Sequence, residues 1–290
     1  MAAAYVFIQR GRRRIRRERV LRDYNNPLDY LDDESIVSKY RLTRPMIHNL
    51  CAMFENDLHR PTMRSRSLPV SLQIMVALRF YASGSFQEVV ADNHNISRQS
   101  TGNAIEDVTN CLTEISKHHI NMPVDVVELN KKKKDFYEIA HFPNTVEAID
   151  FEMSVNGTIT EGWLLGDSGY PLRPWLLTPV LNRKSQAGER YNTANIRTRN
   201  VIERAFGVLK ARFRCLDSSG GTLLYNPGKV CKIFVATAVL HNMCIIERIP
   251  LSEGRDPHDN GHIRAQHYAE NLNDDGANVR LKLVNEFFRN

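Results

Sequence analysis

The chain has 290 residues with 42% hydrophobic and 25% charged side chains, a composition that permits a buried core and by itself indicates no activity. No run of 18 or more apolar residues occurs, so we expect no membrane-spanning helix and no membrane partner. The apolar patch at residues 2–8 precedes the arginines instead of following them, which is the reverse of a secretory signal.

The cysteines are scattered singly, without the paired spacing of a zinc site. We expect reduced thiols, mostly in the core, in a reducing compartment.

Positive charge is concentrated in a basic arm at residues 1–22. The arm carries eight arginines against Glu18, which gives +7, whereas the whole chain has a formal charge of +6. The other 268 residues therefore sum to about −1. Such an arm binds nucleic-acid phosphates or serves as a nuclear localisation signal. A solvated helix end without a partner is the alternative.

Residues 23–140 predict an all-helical region. A short helix is expected over residues 32–40, and another after Thr43, which precedes an arginine and a proline as an N-cap does. Residues 71–81 are apolar nearly all round, which predicts a buried helix that ends at Gly84. Two more helices are expected, one over residues 86–91 and one that begins at the N-cap candidate Ser97.

The last of these helices starts with polar and basic residues. A helix, a turn and a second helix with such a start are typical of a DNA-reading helix-turn-helix, with Arg98, Gln99 and Ser100 facing the groove. Three-helix packing without DNA is the alternative. The lysine run at Lys131–Lys134 predicts a solvated face, and a contribution to phosphate binding is the second hypothesis.

Two short apolar runs, Thr145–Asp150 and Gly162–Asp167, each end in an aspartate. Both predict buried strands followed by a turn, and open α/β sheets bind ligands outside the carboxyl ends of their strands. A strand-end aspartate that only caps a turn is the alternative for each. Residues 172–181 contain two prolines and predict a loop.

A long helix is expected over Ala194–Arg214, with a buried stripe at Ile202, Phe206, Leu209 and Phe213. Glu203 lies beside this stripe. Residues 183–214 sum to +7, which suits a polyanionic substrate.

We expect three of these basic side chains to contact DNA, namely Arg199, Arg204 and Lys210. Under the structural alternative, Glu203 merely pairs with Arg199 or Lys210. A second helix is expected at residues 228–247, followed by a polar tail at 250–290 with an amphipathic end near residues 281–288.

Asp150, Asp167 and Glu203 are the right chemical types for a metal-dependent nuclease. Phosphodiester cleavage needs an activated attacking oxygen and a neutralised leaving oxygen, and two divalent ions about 3.5–4 Å apart provide both. Hard ions such as Mg²⁺ prefer carboxylate oxygens and water.

Two sequence blocks carry a specific resemblance. The block at 164–172 (LLGDSGYPL) and the block at 198–213 (TRNVIERAFGVLKARF) resemble the Harbinger transposase-derived nucleases, which are DDE superfamily endonucleases. Residues 191–192 (YN), 240–242 (LHN) and 24–27 (YNNP) resemble them too.

The resemblance implies an α/β fold in which an RNase H-like catalytic domain at residues 141–249 follows a helix-turn-helix region. It implies an Asp-Asp-Glu triad that binds Mg²⁺ or Mn²⁺, which by position is Asp150, Asp167 and Glu203. It also implies a nuclear setting, with the cytoplasm as a second location left open, DNA as substrate, and a separate Myb-like partner protein.

The chain departs from this family between its two aspartates. The family has several dozen residues there, which form further strands and a helix, whereas this chain has 16. The stretch Phe151–Glu161 therefore resembles a splice across a deletion. Asn195 also stands where the family often has a histidine. Two hypotheses stay open: a metal-dependent DNA endonuclease, or an inactive relative that acts as a nuclear DNA-binding or protein-interaction module.

Overall fold

The computed structural model describes residues 24–60, 67–121, 123, 125–145, 154–155, 158–159, 162–181, 185–217, 223, 225–251 and 274–289. The basic arm at 1–22 and the predicted catalytic Asp150 lie outside the described residues, as does most of the tail, at 252–273.

The described part of the chain is mostly helical. The helices before the strands are α1 (Asp33–Tyr40), α2 (Arg44–Met53), α3 (Glu55–Leu58), α4 (Val70–Ser83), α5 (Gln87–Asn93), α6 (Arg98–Glu114), α7 (Ser116–His119) and α8 (Val126–Ala140). The strands are β1 (Ser154–Val155), β2 (Thr158–Ile159), β3 (Leu164–Leu165) and β4 (Leu176–Leu177). The helices after them are α9 (Gln186–Arg212), α10 (Pro227–Ile246) and α11 (Asp274–Phe287). Single turns of 3-10 helix occur at Pro27–Asp29 and Arg214–Leu216.

The larger hydrophobic core is built around α4. Its apolar side chains on all sides, among them Leu72, Ile74 and Met75, are fully buried, because α1, α2, α5 and α6 pack around it. This confirms the predicted buried helix. Each large apolar side chain buried in this way stabilises the fold by about 1.5–3 kcal/mol.

Helices α4, α5 and α6 form where the sequence predicted them. Gly84 ends α4 in the left-handed conformation, with φ of 67°. The side chain of Ser97 caps α6 by accepting a hydrogen bond from the backbone N–H of Ser100 at 3.1 Å. A four-residue turn separates α5 from α6, which matches a helix-turn-helix connection.

Helix α10 is long and apolar enough to cross a membrane by length and composition alone. In this protein it packs against α6, and its side chains Ile233, Ala236, Val239 and Leu240 are fully buried in the larger core. The expectation that no membrane is involved stays a prediction.

The parallel sheet is short. β3 pairs in parallel with β4, with Leu164 opposite Leu176. On the other side of β3, Trp163 forms a parallel bridge with Thr145, whose strand was predicted to run on to residue 150. β1 and β2 pair antiparallel in the stretch between.

The prediction that residues 172–181 form only a loop is wrong, because β4 lies within them. The prolines at 174 and 179 flank the two paired leucines. The bonds to the β3 segment are accepted by carbonyls between them: the N–H of Leu164 donates to Trp175 at 2.7 Å and that of Gly166 to Leu177 at 2.9 Å.

A second core lies between this sheet, α9 and α11. The rings of Phe142, Tyr191 and Phe288 have centroids 5.3–5.6 Å apart, and Leu165 and Leu177 join them. Helix α11 packs against α9 and β4. The amphipathic end predicted at residues 281–288 is the last part of a helix that begins at residue 274, with Leu283 and Val284 buried in this core and Leu281 exposed.

Helix α9 begins eight residues before the predicted start. The side chain of Ser185 caps it by accepting a hydrogen bond from the N–H of Gly188 at 3.1 Å. The predicted buried stripe holds for Leu209 and Phe213, whereas Phe206 is 40% exposed. The stripe was overestimated because α9 reaches the larger core only in its last turns.

Gly84→Ala is expected to lower the free energy of unfolding by about 1–3 kcal/mol, measured by urea denaturation. An L residue is strained at this φ, and a Cβ at Gly84 would lie 3.0 Å from the carbonyl oxygen of Arg214. Gly228→Ala is the matched control, because its Cβ would meet only the side-chain oxygen of Asn226 at 3.5 Å. That variant should be unchanged or up to about 1 kcal/mol more stable. Equal effects of the two substitutions would show that neither the positive φ nor the Arg214 contact makes a side chain at Gly84 costly.

Candidate active site

Asp167 lies two residues after β3, at its carboxyl end, as predicted. Its Oδ1 accepts a hydrogen bond at 2.8 Å from the N–H of Gly169, which fixes the side chain in a tight turn. A Cβ at Gly169 would lie 3.0 Å from the same oxygen, so a larger residue there would push against the Asp167 carboxylate. Oδ2 points to α9, where it lies 3.9 Å from a guanidinium nitrogen of Arg199. The Asp167 side chain is 47% exposed, so it is accessible to a ligand.

Glu203 lies on α9, one turn after Arg199. The Arg199 guanidinium donates a hydrogen bond to Glu203 Oε1 at 2.6 Å, from the same nitrogen that faces Asp167. Two of the three predicted catalytic residues are therefore brought together by one arginine. This also confirms the structural alternative that Glu203 pairs with Arg199, whereas Lys210 forms no ion pair with any described residue.

The beginning of α9 is tied to the segment that follows β4. The Asn192 side chain accepts a hydrogen bond from the N–H of Val180 and donates one to its carbonyl, both at 2.8 Å. The Tyr191 hydroxyl donates to the carbonyl of Thr178 at 3.1 Å, and burial raises the pKa of this hydroxyl. These bonds fix the helix that carries Glu203 against the strand next to Asp167.

A buried asparagine lies close to this arrangement, and an arginine of α11 supports it. Asn195, which stands where the family often has a histidine, is fully buried on α9, one turn before Arg199. Arg280 on α11 donates to the carbonyls of Thr178 and Pro179 at 3.3 and 3.0 Å. Sequence reasoning missed Arg280, because nothing local distinguishes it from a solvated arginine of the polar tail.

The predicted DNA-contacting residues form two separate groups. Arg98 and Gln99 are exposed at the start of α6, while the Ser100 hydroxyl is engaged at 2.9 Å with that of Ser97. Arg204 and Lys210 are exposed on α9, and neither forms an ion pair within the described part of the chain. No hydrogen bond or ion pair among the described residues joins the two groups.

The lysine run lies on α8, which packs against α9. Lys131, Lys132 and Lys134 are exposed, as expected of a solvated face. Their contribution to phosphate binding stays a prediction.

Asp167 and Glu203 provide carboxylate oxygens, which are the ligands that hard divalent cations prefer. The described residues contain no cluster of three or more His, Cys, Asp or Glu side chains that could hold a metal. Through Arg199, the nearest oxygens of Asp167 and Glu203 lie within about 6.5 Å of each other. This upper bound allows one Mg²⁺, with bonds of about 2.1 Å, to bind between the two carboxylates. Two ions about 3.5–4 Å apart accommodate one carboxylate each.

Comparison with known proteins defines the class. Residues 144–242, which include Asp167, α9 and most of α10, match the DDE superfamily endonuclease family. The HARBI1 proteins of Bos taurus and Homo sapiens, both named as nucleases, are 32% and 31% identical over 277 residues, covering 75% of this chain and 79% of theirs. The chain therefore belongs to the Harbinger transposase-derived nucleases of the DDE superfamily. The Arabidopsis thaliana protein named antagonist of like heterochromatin protein 1 is 22% identical, covering 89% of this chain and 85% of that protein. No solved structure matches the chain.

The alignments also show that residues are absent from this chain. The 277 aligned positions with the Bos taurus protein cover 75% of this chain, which is about 217 residues. About 60 positions of that relative therefore have no counterpart here. This number agrees with the several dozen residues that the sequence predicts to be missing between Asp150 and Asp167.

Asn192→Asp is expected to lower the free energy of unfolding by about 1–3 kcal/mol, because a carboxylate cannot donate to the Val180 carbonyl and leaves it facing a negative charge. The exposed Asn200 on the same helix provides the control Asn200→Asp, which should change stability little. Both are measured by chemical denaturation at neutral pH. If Asn192→Asp proves as stable as Asn200→Asp, the Val180 contact does not anchor α9.

Proposed function

We propose that this chain is a divalent-metal-dependent DNA endonuclease of domesticated-transposase type. Asp167 and Glu203 supply two of its metal-binding carboxylates, and the resemblance assigns Asp150 as the third. The observation that carries the proposal is the convergence of Asp167 and Glu203 on the single guanidinium of Arg199. A strand-end carboxylate and a helix carboxylate, about half exposed, are thereby held around a cation position.

DDE superfamily endonucleases use divalent metals, and Mg²⁺ or Mn²⁺, when bound, activates the attacking oxygen and neutralises the leaving oxygen of a phosphodiester. The residues of this chain supply ligands and orientation. The Gly169 N–H holds Oδ1 of Asp167, so Oδ2 is directed toward α9. Asn192 fixes the start of α9 against the sheet, so Glu203 is presented from a rigid helix. Asp167 is held by a backbone contact and Glu203 by its place on the helix, so both carboxylates are positioned before an ion binds.

The exposed positive charges on α9 suit a polyanionic substrate such as DNA. Arg204 follows Glu203 directly and Lys210 lies two turns further on, both without an acidic partner among the described residues. They would contact phosphates beside the carboxylates, and Arg199 would do so from within the centre. Arg98, Gln99 and Ser100 would contact DNA from α6. The basic arm would add phosphate contacts and direct the protein to the nucleus, where a Myb-like protein is the proposed partner.

The second candidate is a non-catalytic nuclear DNA-binding or protein-interaction module. The observation that favours it is the absence of about 60 positions that the HARBI1 relative has. The Arabidopsis relative is named for antagonism of a heterochromatin protein, which supports protein interaction as a role within this family. The two candidates agree on DNA binding and differ on the effect of metal and carboxylates.

Asp167→Asn is expected to reduce Mn²⁺-dependent nicking of supercoiled plasmid by at least about a hundredfold, because the amide is a weaker ligand without charge. DNA binding, measured by fluorescence anisotropy in EDTA, should persist. Glu189→Gln is the matched control: it removes a carboxylate from the exposed first turn of α9 and should leave nicking unchanged. Nicking that is absent from the wild type, or that Asp167→Asn leaves intact, would reject the nuclease proposal in favour of the module.

Arg98→Gln is expected to weaken binding to duplex DNA and to reduce the slope of log Kobs against log salt concentration by about 1, as the loss of one phosphate contact does. The residue is exposed, so the melting temperature should not change. The control is Lys117→Gln, which removes one positive charge from an exposed position on α7. If both variants bind like the wild type, the start of α6 does not contact DNA.

A further inference from the structure

We propose that Arg199 is the resident counter-cation of the candidate metal centre and that divalent metal binds only by displacing its guanidinium. This inference rests on the proposed nuclease function, and it assigns Arg199 a role in regulating metal occupancy. One nitrogen of the guanidinium lies 2.6 Å from Glu203 Oε1 and 3.9 Å from Asp167 Oδ2. It therefore lies in the space between the two carboxylates where an ion would have to bind.

The burial of the three side chains differs. Arg199 is only 18% exposed, whereas Asp167 and Glu203 are 47% and 48% exposed. The cation is thus the most enclosed member of the group, and both carboxylates are more exposed to solvent than it is. Partial burial reduces the screening of its charge by water, so its attraction to both carboxylates is stronger than that of a surface pair.

The Arg199 guanidinium has two opposing effects on metal binding. The guanidinium holds two like charges together, which keeps the ligands in place. It also puts one positive charge in contact with the oxygens that a divalent ion needs. Because the same oxygens cannot serve both cations at contact distance, the ion must displace the arginine, and its apparent affinity falls by the strength of the existing contacts.

The helix offers a matched control for this charge. Arg197 lies two residues before Arg199 and therefore on the opposite side of α9, and its side chain is exposed. Arg197→Gln changes the net charge of the helix by the same amount as Arg199→Gln without touching the carboxylates. The pair separates a bridging effect from a general change in electrostatic potential.

The test measures Mn²⁺ binding to the full-length protein in the absence of DNA, from the free-ion signal in electron paramagnetic resonance. Arg199→Gln is expected to bind Mn²⁺ at least about tenfold more tightly than the wild type, since a like charge in contact with the ligands is removed. Arg197→Gln should stay within about threefold of the wild type. Adding Asp167→Asn to Arg199→Gln should abolish the tight site. Each variant is first checked for its circular dichroism spectrum and melting temperature.

Arg199→Lys provides a second variant that keeps the charge and supports folding. The lysine ammonium keeps the charge but, on its shorter side chain, reaches less far than the single guanidinium nitrogen that faces both carboxylates. The Mn²⁺ affinity of Arg199→Lys should therefore fall between those of the wild type and Arg199→Gln. Equal or weaker binding in both variants, with Mn²⁺ still lost on Asp167→Asn, would overturn the displacement role and leave the nuclease proposal standing. Mn²⁺ binding that Asp167→Asn leaves unchanged in every variant would overturn both the displacement role and the nuclease proposal.

Discussion

The continuous hydrogen-bonded backbone of α9 connects the two hydrophobic cores and sets the position of Glu203 relative to Asp167. Its 27 residues extend for about 40 Å. The first turns are bound to the sheet through Tyr191 and Asn192, and the last turns enter the larger core through Phe213. Because an α-helix is stiff along its axis, fixing both ends of α9 also fixes the position of the residues between them. The side chains of the middle can therefore be polar and exposed without losing their placement.

The far end of α9 shows how the larger core accommodates a buried charge. Arg212 is 5% exposed, and its guanidinium donates to the carbonyl of Ile249 at 2.9 Å. The neighbouring His241 on α10 is also buried, and burial, with the charge of Arg212, lowers its pKa to about 4. The histidine is thus neutral near pH 7, so it adds no further positive charge beside the Arg212 guanidinium. A further uncompensated charge there would oppose the packing that anchors α9.

The helices before the strands were predictable from local residue preferences, whereas β4 and the exposure of α9 depend on tertiary contacts. The left-handed Gly84 and the Ser97 cap follow from single residues and their neighbours. β4 did not, because two leucines between prolines become a strand only when β3 lies beside them. Phe206 resembles a core residue by its spacing, yet it is 40% exposed, because it belongs to neither core and packs on the partly exposed ring of Phe234. The structure brings Asp167 and Glu203 to one arginine, and their role with Asp150 as a catalytic triad remains a prediction.

The described contacts of Asp167 bear on whether the absent segment matters for the site. β3 pairs with β4 on one side and, through Trp163, with Thr145 on the other. The placement of Asp167 therefore depends on strands that the chain retains, and that of Glu203 depends on α9. The roughly 60 positions that the Bos taurus relative has in excess are not needed to hold these two carboxylates together. The first aspartate of the expected triad, Asp150, lies outside the described residues, and the effect of the absent positions on it stays a prediction. The retained strands and α9 are thus sufficient to place the carboxylates of Asp167 and Glu203, and this placement is a separate property from catalytic activity.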